Sequence, residues 1–335
     1  MNRRDASLAV IALGALGTLL QAPASRAQPQ GRVWRIGYLG PSAETAPQLL
    51  KAFQDGLAAL GYVEGRNIAV EYRWTNAGNR MNDDAVLLAS ARELVAHKVD
   101  AMAASIDPAI RAASKATGTV PIVMLNVSDP VELGLVKTLD RPGGNITGMT
   151  RLSPELIGKN LQTLREVAPR AVRVGMLISG PAVRAIVGNA QQAAHALGVA
   201  LQVFALRAAA DLEAAFETMK HQGMEALLVA DTGGGVFFTQ RARLAGLAIA
   251  QRLPAIYANT EIVESGGLMS YSPPAPENYR RAAVFIDKIL RGTKAGDIPI
   301  EQPTKLELVI NLRTAKALNL VIPQSLLIRA DRLIE

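Results

Sequence analysis

From Arg32 to the C-terminus, short apolar runs alternate with longer amphipathic stretches. VWRIGYL (33–39), IAVEY (68–72), VDAMAAS (99–105) and VPIVMLN (120–126) have the length and apolar continuity of strands buried on both faces. Between them, Leu49, Leu50, Phe53, Leu57 and Leu60, and then Leu87, Leu88, Ala91, Leu94 and Val95, recur at the spacing of one helical face. Strand, helix, strand, helix is the rhythm of a doubly wound parallel sheet.

After Pro169 the rhythm restarts. VRVGMLIS (172–179), VALQVFAL (199–206), EALLVAD (225–231) and PAIYAN (254–259) are separated by alanine-rich helical segments. Each half holds about as many strands as one open sheet usually has, so the pattern predicts two α/β lobes rather than one large sheet. GGLMSYS (266–272) and LELVINL (306–312) read as two further strands, with a helix over PENYRRAAVFIDKILRG between them. The most economical arrangement returns GGLMSYS and its helix to the first lobe and LELVINL to the second. The expected fold is therefore two doubly wound parallel-sheet lobes, joined by three crossovers near 148, 265 and 304. Lobe 1 would comprise 33–147 plus 266–303, and lobe 2 would comprise 148–265 plus 304–335.

The first 27 residues change the picture. A basic start with Arg3 and Arg4, an apolar run from Leu8 to Leu20, and Ser25 and Ala27 at the positions of a cleavage motif predict a removable export signal. The route would be general secretion or, given the paired arginines, twin-arginine export. That run is short for a bilayer span. A periplasmic protein is expected, touching the membrane only through a partner. The chain has no cysteine, which excludes thiol chemistry and a lipid-anchored cysteine. Formal net charge is +7, and setting aside Arg3, Arg4, Arg26 and Asp5 leaves a smaller basic excess that is scattered. With aromatics at only 4%, the basic stripes and stacking platforms of a nucleic-acid binder are missing.

Four long stretches carry a resemblance. SDPVELGLVKTLDRPGGNITG, EQPTKLELVINLRTAKALNLVIPQSLL with RADRLIE after it, FQDGLAALGYVEGRNIAVEYRW, and GGLMSYSPPAPENYRRAA resemble the substrate-binding proteins of ABC transporters of the tryptophan/tyrosine type. The resemblance spans essentially all of the chain beyond the leader. It implies the type I periplasmic binding protein fold with a ligand cleft between the lobes, an exported receptor, hinge closure on a small solute such as an aromatic amino acid or related compound, and delivery to a membrane permease; a monomer is expected. It implies no enzyme activity and no cofactor.

In a parallel sheet the functional rim is the carboxyl end of the strands. The residues there predict a site rich in small and hydrogen-bonding groups: Ser42, Ser105, Asp107, Asn126, Asp129, Ser179, Asp231, Thr232, Asn259, Glu261 and Tyr271. Ser42, with the N–H groups that open the next helix, suits a carboxylate. Asp231, Glu261 or Asp107 suits an ammonium group, and Tyr271 suits an apolar or aromatic substituent. Each of these residue types is also a preferred helix cap whatever the function. Asp129-Pro130 is expected to start a helix, and Gly143-Gly144 to supply positive φ where the chain leaves the first lobe.

Enzyme signatures are weak. Asp231-Thr232-Gly233-Gly234-Gly235 lacks the lysine of a phosphate loop. The sequence 40–44 lacks the second glycine of a nucleophile elbow. His97, His195 and His221 stand apart without zinc-ligand spacing, so no metal is expected. An exported hydrolase or transferase using the same cleft is the alternative. A DNA-binding regulator of this fold would need a helix-turn-helix ahead of Val33, where only the leader-like segment stands.

Overall fold

The computed structural model describes residues 32–75, 83–151, 154–179, 184–230 and 235–335. The leader-like segment, Gly180, Asp231 and Thr232 therefore lie outside the described residues.

The first half runs β1 (Trp34–Gly40), α1 (Pro47–Ala59), β2 (Ile68–Trp74), α2 (Asp84–Ala96), β3 (Ala101–Ala104), α3 (Asp107–Ala116), β4 (Ile122–Val127) and β5 (Ile146–Thr150). The second continues with α4 (Pro154–Val167), β6 (Arg173–Ser179), α5 (Arg184–Ala196), β7 (Ala200–Leu206), α6 (Leu212–His221), β8 (Ala226–Ala230), α7 (Val236–Thr239), α8 (Arg241–Ala250), β9 (Ala255–Tyr257) and α9 (Thr260–Glu264). The tail adds β10 (Met269–Ser272), α10 (Ala275–Leu290), β11 (Glu307–Asn311), α11 (Leu312–Ala317), α12 (Gln324–Arg329) and β12 (Arg332–Ile334).

Two sheets form, as the restart of the pattern predicts. The first is all parallel in the order β2-β1-β3-β4-β5. The second runs β12-β11-β10-β9-β8-β6-β7, and its antiparallel pair is β10 with β11. Both faces of each sheet are covered. Phe53 of α1 and Phe285 and Ile286 of α10 pack with Tyr38 on one side of the first sheet, while Leu87, Leu94 and Ile110 pack with Met124 on the other. Burial on both faces is why these strands read as continuous apolar runs rather than as alternation. In the second sheet, Leu161 and Ala190 lie on one face and Phe216 and Leu244 on the other.

Three expectations need correction. GGLMSYS does not return to the first lobe: β10 pairs in parallel with β9, Met269 opposite Ile256, and antiparallel with β11, Met269 opposite Ile310. The short connection through α9 places it beside the strand it follows, and the chain crosses only afterwards, at Pro273-Pro274. Its helix does go to the first lobe, where α10 meets α1 so closely that a Cβ on Gly56 would stand 2.5 Å from the Arg280 carbonyl oxygen. Secondly, no helix follows Asp129-Pro130. The Asp129 carboxylate accepts from the N–H groups of Val131 and Glu132, both at 2.9 Å, and closes a turn. Thirdly, Gly143 and Gly144 do take positive φ, 65° and 71°, but they precede β5, which still belongs to the first sheet. The chain leaves that lobe at Arg151.

The first and third crossings run side by side. Glu301 N–H donates to the Gly148 carbonyl and Thr150 N–H to the Glu301 carbonyl, each at 3.0 Å. Asn278, at the foot of α10, donates to the Thr150 carbonyl at 3.1 Å and to Asn126 Oδ1 at 3.3 Å, so the middle crossing is tied to the same place.

Candidate functional site

The strand order of the first sheet reverses between β1 and β3, so the loops after those strands diverge and leave a crevice. Pro41 follows β1, Ser105 and Ile106 follow β3, and all three line a cavity between the two sheets' carboxyl edges. Asn126 of β4 and Thr75, just past β2, complete that side. The other side comes from the second sheet's edge and its short helices: Gly235, Phe238, Thr239, Asn259 and Glu261. Arg151 and Ala275 enter from the crossings, and Tyr279 from α10. Counted out to its open mouth, the hollow has an empty volume of about 630 Å³.

Of the residues chosen from sequence, Ser105, Asn126, Asn259 and Glu261 are brought together here. Ser42 sits in the turn before α1 with its hydroxyl 3.3 Å from that of Thr45, and it is Thr45 that reaches the cavity. Asp107 opens α3 and turns inward, accepting from Ser128 N–H at 3.0 Å and from the Ser128 hydroxyl. Asp129 closes its turn. Ser179 is fully buried at the end of β6. Tyr271 packs in a cluster with Leu156, Ala258 and Leu306 and is not among the residues lining the hollow. Asp231 and Thr232 fall outside the described residues.

The floor is made by Ser105 and Tyr279, whose hydroxyls hydrogen-bond to each other. Burial pushes the Tyr279 phenol well above its ordinary range, so the ring presents a neutral hydroxyl. Ile106, beside it, holds φ at 63°, a conformation costly for a β-branched residue. That strain lies at the rim where the chain turns from β3 into α3.

Glu261 is 9% exposed on the first turn of α9. Burial raises its carboxyl above the usual 4.5, an effect opposed by its own backbone N–H, by Arg241 and by a hydrogen bond to Gln48. Gln48 belongs to α1, so this bond joins the two lobes. Phe238 crosses in the same sense: it is carried by α7, yet its ring packs on the first-lobe core around Tyr38 and Leu49. Arg241 fixes that ring. Its guanidinium carbon lies 5.1 Å from the ring centre, and Nη1 donates to the Phe238 carbonyl at 2.9 Å. Arg151, 6% exposed, lines the cavity where all three connections converge.

Sequence reasoning missed Thr45, Arg151, Phe238 and Tyr279. Thr45, Phe238 and Tyr279 do not stand directly after a strand among the small polar residues that the rim rule selects. Tyr279 falls within the predicted helix over PENYRRAAVFIDKILRG, and Arg151 follows β5, a strand absent from the predicted set.

The model for ABC transporter substrate binding proteins matches residues 42–334. A tyrosine-binding protein of Clostridioides difficile is 27% identical over 272 residues, covering 81% of this chain and 76% of that one. Two solved structures share the fold, each with a TM-score of 0.81 at 24% identity over 90% of this chain and 100% of the other. One is a conserved domain protein of Vibrio cholerae, the other an ABC domain of Streptococcus pneumoniae in complex with L-Trp.

Proposed function

The chain belongs to the family of ABC transporter substrate-binding proteins, and from that premise we propose that it captures an aromatic or similarly sized solute by closing its two lobes over the central cavity. The family binds rather than transforms its solutes, so the exported-enzyme alternative is set aside.

The observation that carries this reading is the shared lining. Ser105 and Asn126 come from one sheet's edge, and Asn259, Glu261 and Phe238 from the other's, so a solute in the hollow touches both lobes at once. Contacts made to both lobes exist only when the lobes are together. A bound solute therefore shifts the population toward closure by the free energy of those contacts. The closed face then distinguishes loaded from empty receptor for a permease. One chain completes the cavity, and the monomer is taken as the working unit. Export to the periplasm is supported by the leader-like pattern of the first 27 residues. Among the described residues no helix is long and apolar enough to cross a membrane.

The solute-binding names of the relatives support an aromatic ligand. In this chain Phe238 and Tyr279 supply the ring surface such a ligand needs. The test is native mass spectrometry of the purified protein followed by X-ray scattering with and without the solute found. A bound small molecule whose addition contracts the particle is expected. A particle whose dimensions ignore every solute it binds would refute closure.

A further inference from the structure

Asn259 follows β9 and lines the hollow beside Glu261. Its amide oxygen is buried without a hydrogen-bond donor, and the side chain does not cap α9. A buried acceptor left unmet is costly, so the place calls for a donor from outside the chain. A narrower recess opens off the hollow there, formed by Asn126, Asn259, Glu261 and Asn278, with Arg151 and Pro273 on the side of the crossings. Its free volume is about 10 Å³, enough for one water-sized group. A carboxylate, with three heavy atoms, does not fit, whereas a single nitrogen or oxygen does.

The neighbours are partly engaged. Asn126 Oδ1 receives Asn278 Nδ2 at 3.3 Å and keeps a second lone pair, Glu261 is bonded to Gln48, and Arg151 already has a partner. Three oxygens with acceptor capacity therefore border a space for one small group: Asn259 Oδ1, Asn126 Oδ1 and the Glu261 carboxyl. A hydroxyl would bring them one hydrogen. An ammonium brings three, and its charge favours the ionised form of the carboxyl beside it.

Building on the solute-receptor reading above, we propose that Asn259 reads the solute's head group, a primary ammonium seated in this recess on Asn259 Oδ1, Asn126 Oδ1 and the Glu261 carboxylate. The head then lies toward the crossings, and the apolar body of the solute lies toward Leu49, Ile106 and Phe238.

Matched pairs of solutes, crossed with variants at Asn259, test this by calorimetry. L-tyrosine is compared with 3-(4-hydroxyphenyl)propanoate and L-tryptophan with 3-(indol-3-yl)propanoate, the members of each pair differing only by the ammonium group. On the unaltered chain the amino acid is expected to bind about tenfold tighter or more than its acid. N259L, which keeps the bulk and loses the acceptor, should weaken the amino acid by about tenfold or more and the acid clearly less, the scale of a lost bond to a charged group. N259D, which keeps an acceptor, should recover the difference.

Equal or tighter binding of the acids overturns the proposal. So does an N259L protein that weakens both members of a pair alike, the result expected if the recess holds only a water. Should N259L fail to fold, the pairs on the unaltered chain and on N259D still decide, since both must prefer the amine. If neither pair binds, the solute carried through purification takes their place. One without a primary amine overturns this proposal while the receptor reading stands, and one with an amine must lose about tenfold in N259L for the proposal to survive. If no solute binds or contracts the particle, the receptor reading itself falls.

Discussion

Glu132 of the first lobe accepts a hydrogen bond from the backbone N–H of Arg184 in the second, at 2.9 Å. Arg184 opens α5, so a carboxylate from one lobe sits on an unpaired N–H at the positive end of a helix in the other. The Arg184 side chain adds little, since Nε stands 3.6 Å away and is 94% exposed. This contact exists only while the lobes are together. E132A is expected to weaken solute affinity by about two- to fivefold, through faster release, with the fold's own stability unchanged. Stopped-flow dissociation checks it, and an unaltered release rate would remove Glu132 from the closure.

The hydroxyls of Ser105 and Tyr279 satisfy each other at 0% and 2% exposure. Removing one leaves the other buried without a partner. Y279F or S105A should each cost about 1–3 kcal/mol in urea unfolding, while the double variant costs clearly less than the sum. Additive losses would mean that the two groups do not depend on each other.

Gly148 carries φ of 131°, and a Cβ there would stand 2.2 Å from the Met124 carbonyl oxygen. That oxygen is backbone of β4 and has little freedom to retreat. G148A is expected to destabilise the protein by about 3 kcal/mol or more, as strain plus a pried strand edge. Because Glu301 N–H donates to the Gly148 carbonyl, the loss should be accompanied by faster amide exchange at Glu301. A G148A protein with an unshifted unfolding midpoint would contradict the crowding described.

The raised carboxyl of Glu261 gives the protein a pH signature. In the unfolded chain this group ionises near the ordinary 4.5, and in the fold burial delays it to higher pH. Below the unfolded value both states hold the proton and Glu261 makes no difference. As pH rises the unfolded chain ionises first, so stability drains away until the pH passes the folded value, and the penalty stays above it. E261Q is neutral throughout. Its stability relative to the native protein should therefore improve as pH rises past about 4.5, read as urea midpoints at a series of pH values. A difference that does not change with pH would show that Glu261 titrates normally.

The two sheets were legible because strands covered on both faces write themselves as unbroken apolar runs, as VPIVMLN and EALLVAD do. Helix faces were equally plain: Ala283, Phe285, Ile286 and Ile289 are all buried. The partner of a strand was not legible. Nothing within GGLMSYS distinguishes pairing with β9 from pairing across the cleft, since that choice depends on where the preceding connection ends. NITGMT was too short and mixed to announce β5. For the cavity, the rim rule finds loop ends but cannot tell a side chain facing the hollow from one turned to its neighbour. Asp107 and Asn126 illustrate it: one carboxylate is taken by Ser128, while the amide a strand away lines the hollow.

The paired crossings at Gly148, Thr150 and Glu301 act as the spine of a book. Two hydrogen-bonded chains side by side bend readily about the line across them but resist sliding and twisting. The covers can therefore swing along one arc, and a point travels in proportion to its distance from that line. Residues next to the spine, Arg151 among them, therefore lie where such a swing displaces atoms least, and those at the fore-edge travel furthest.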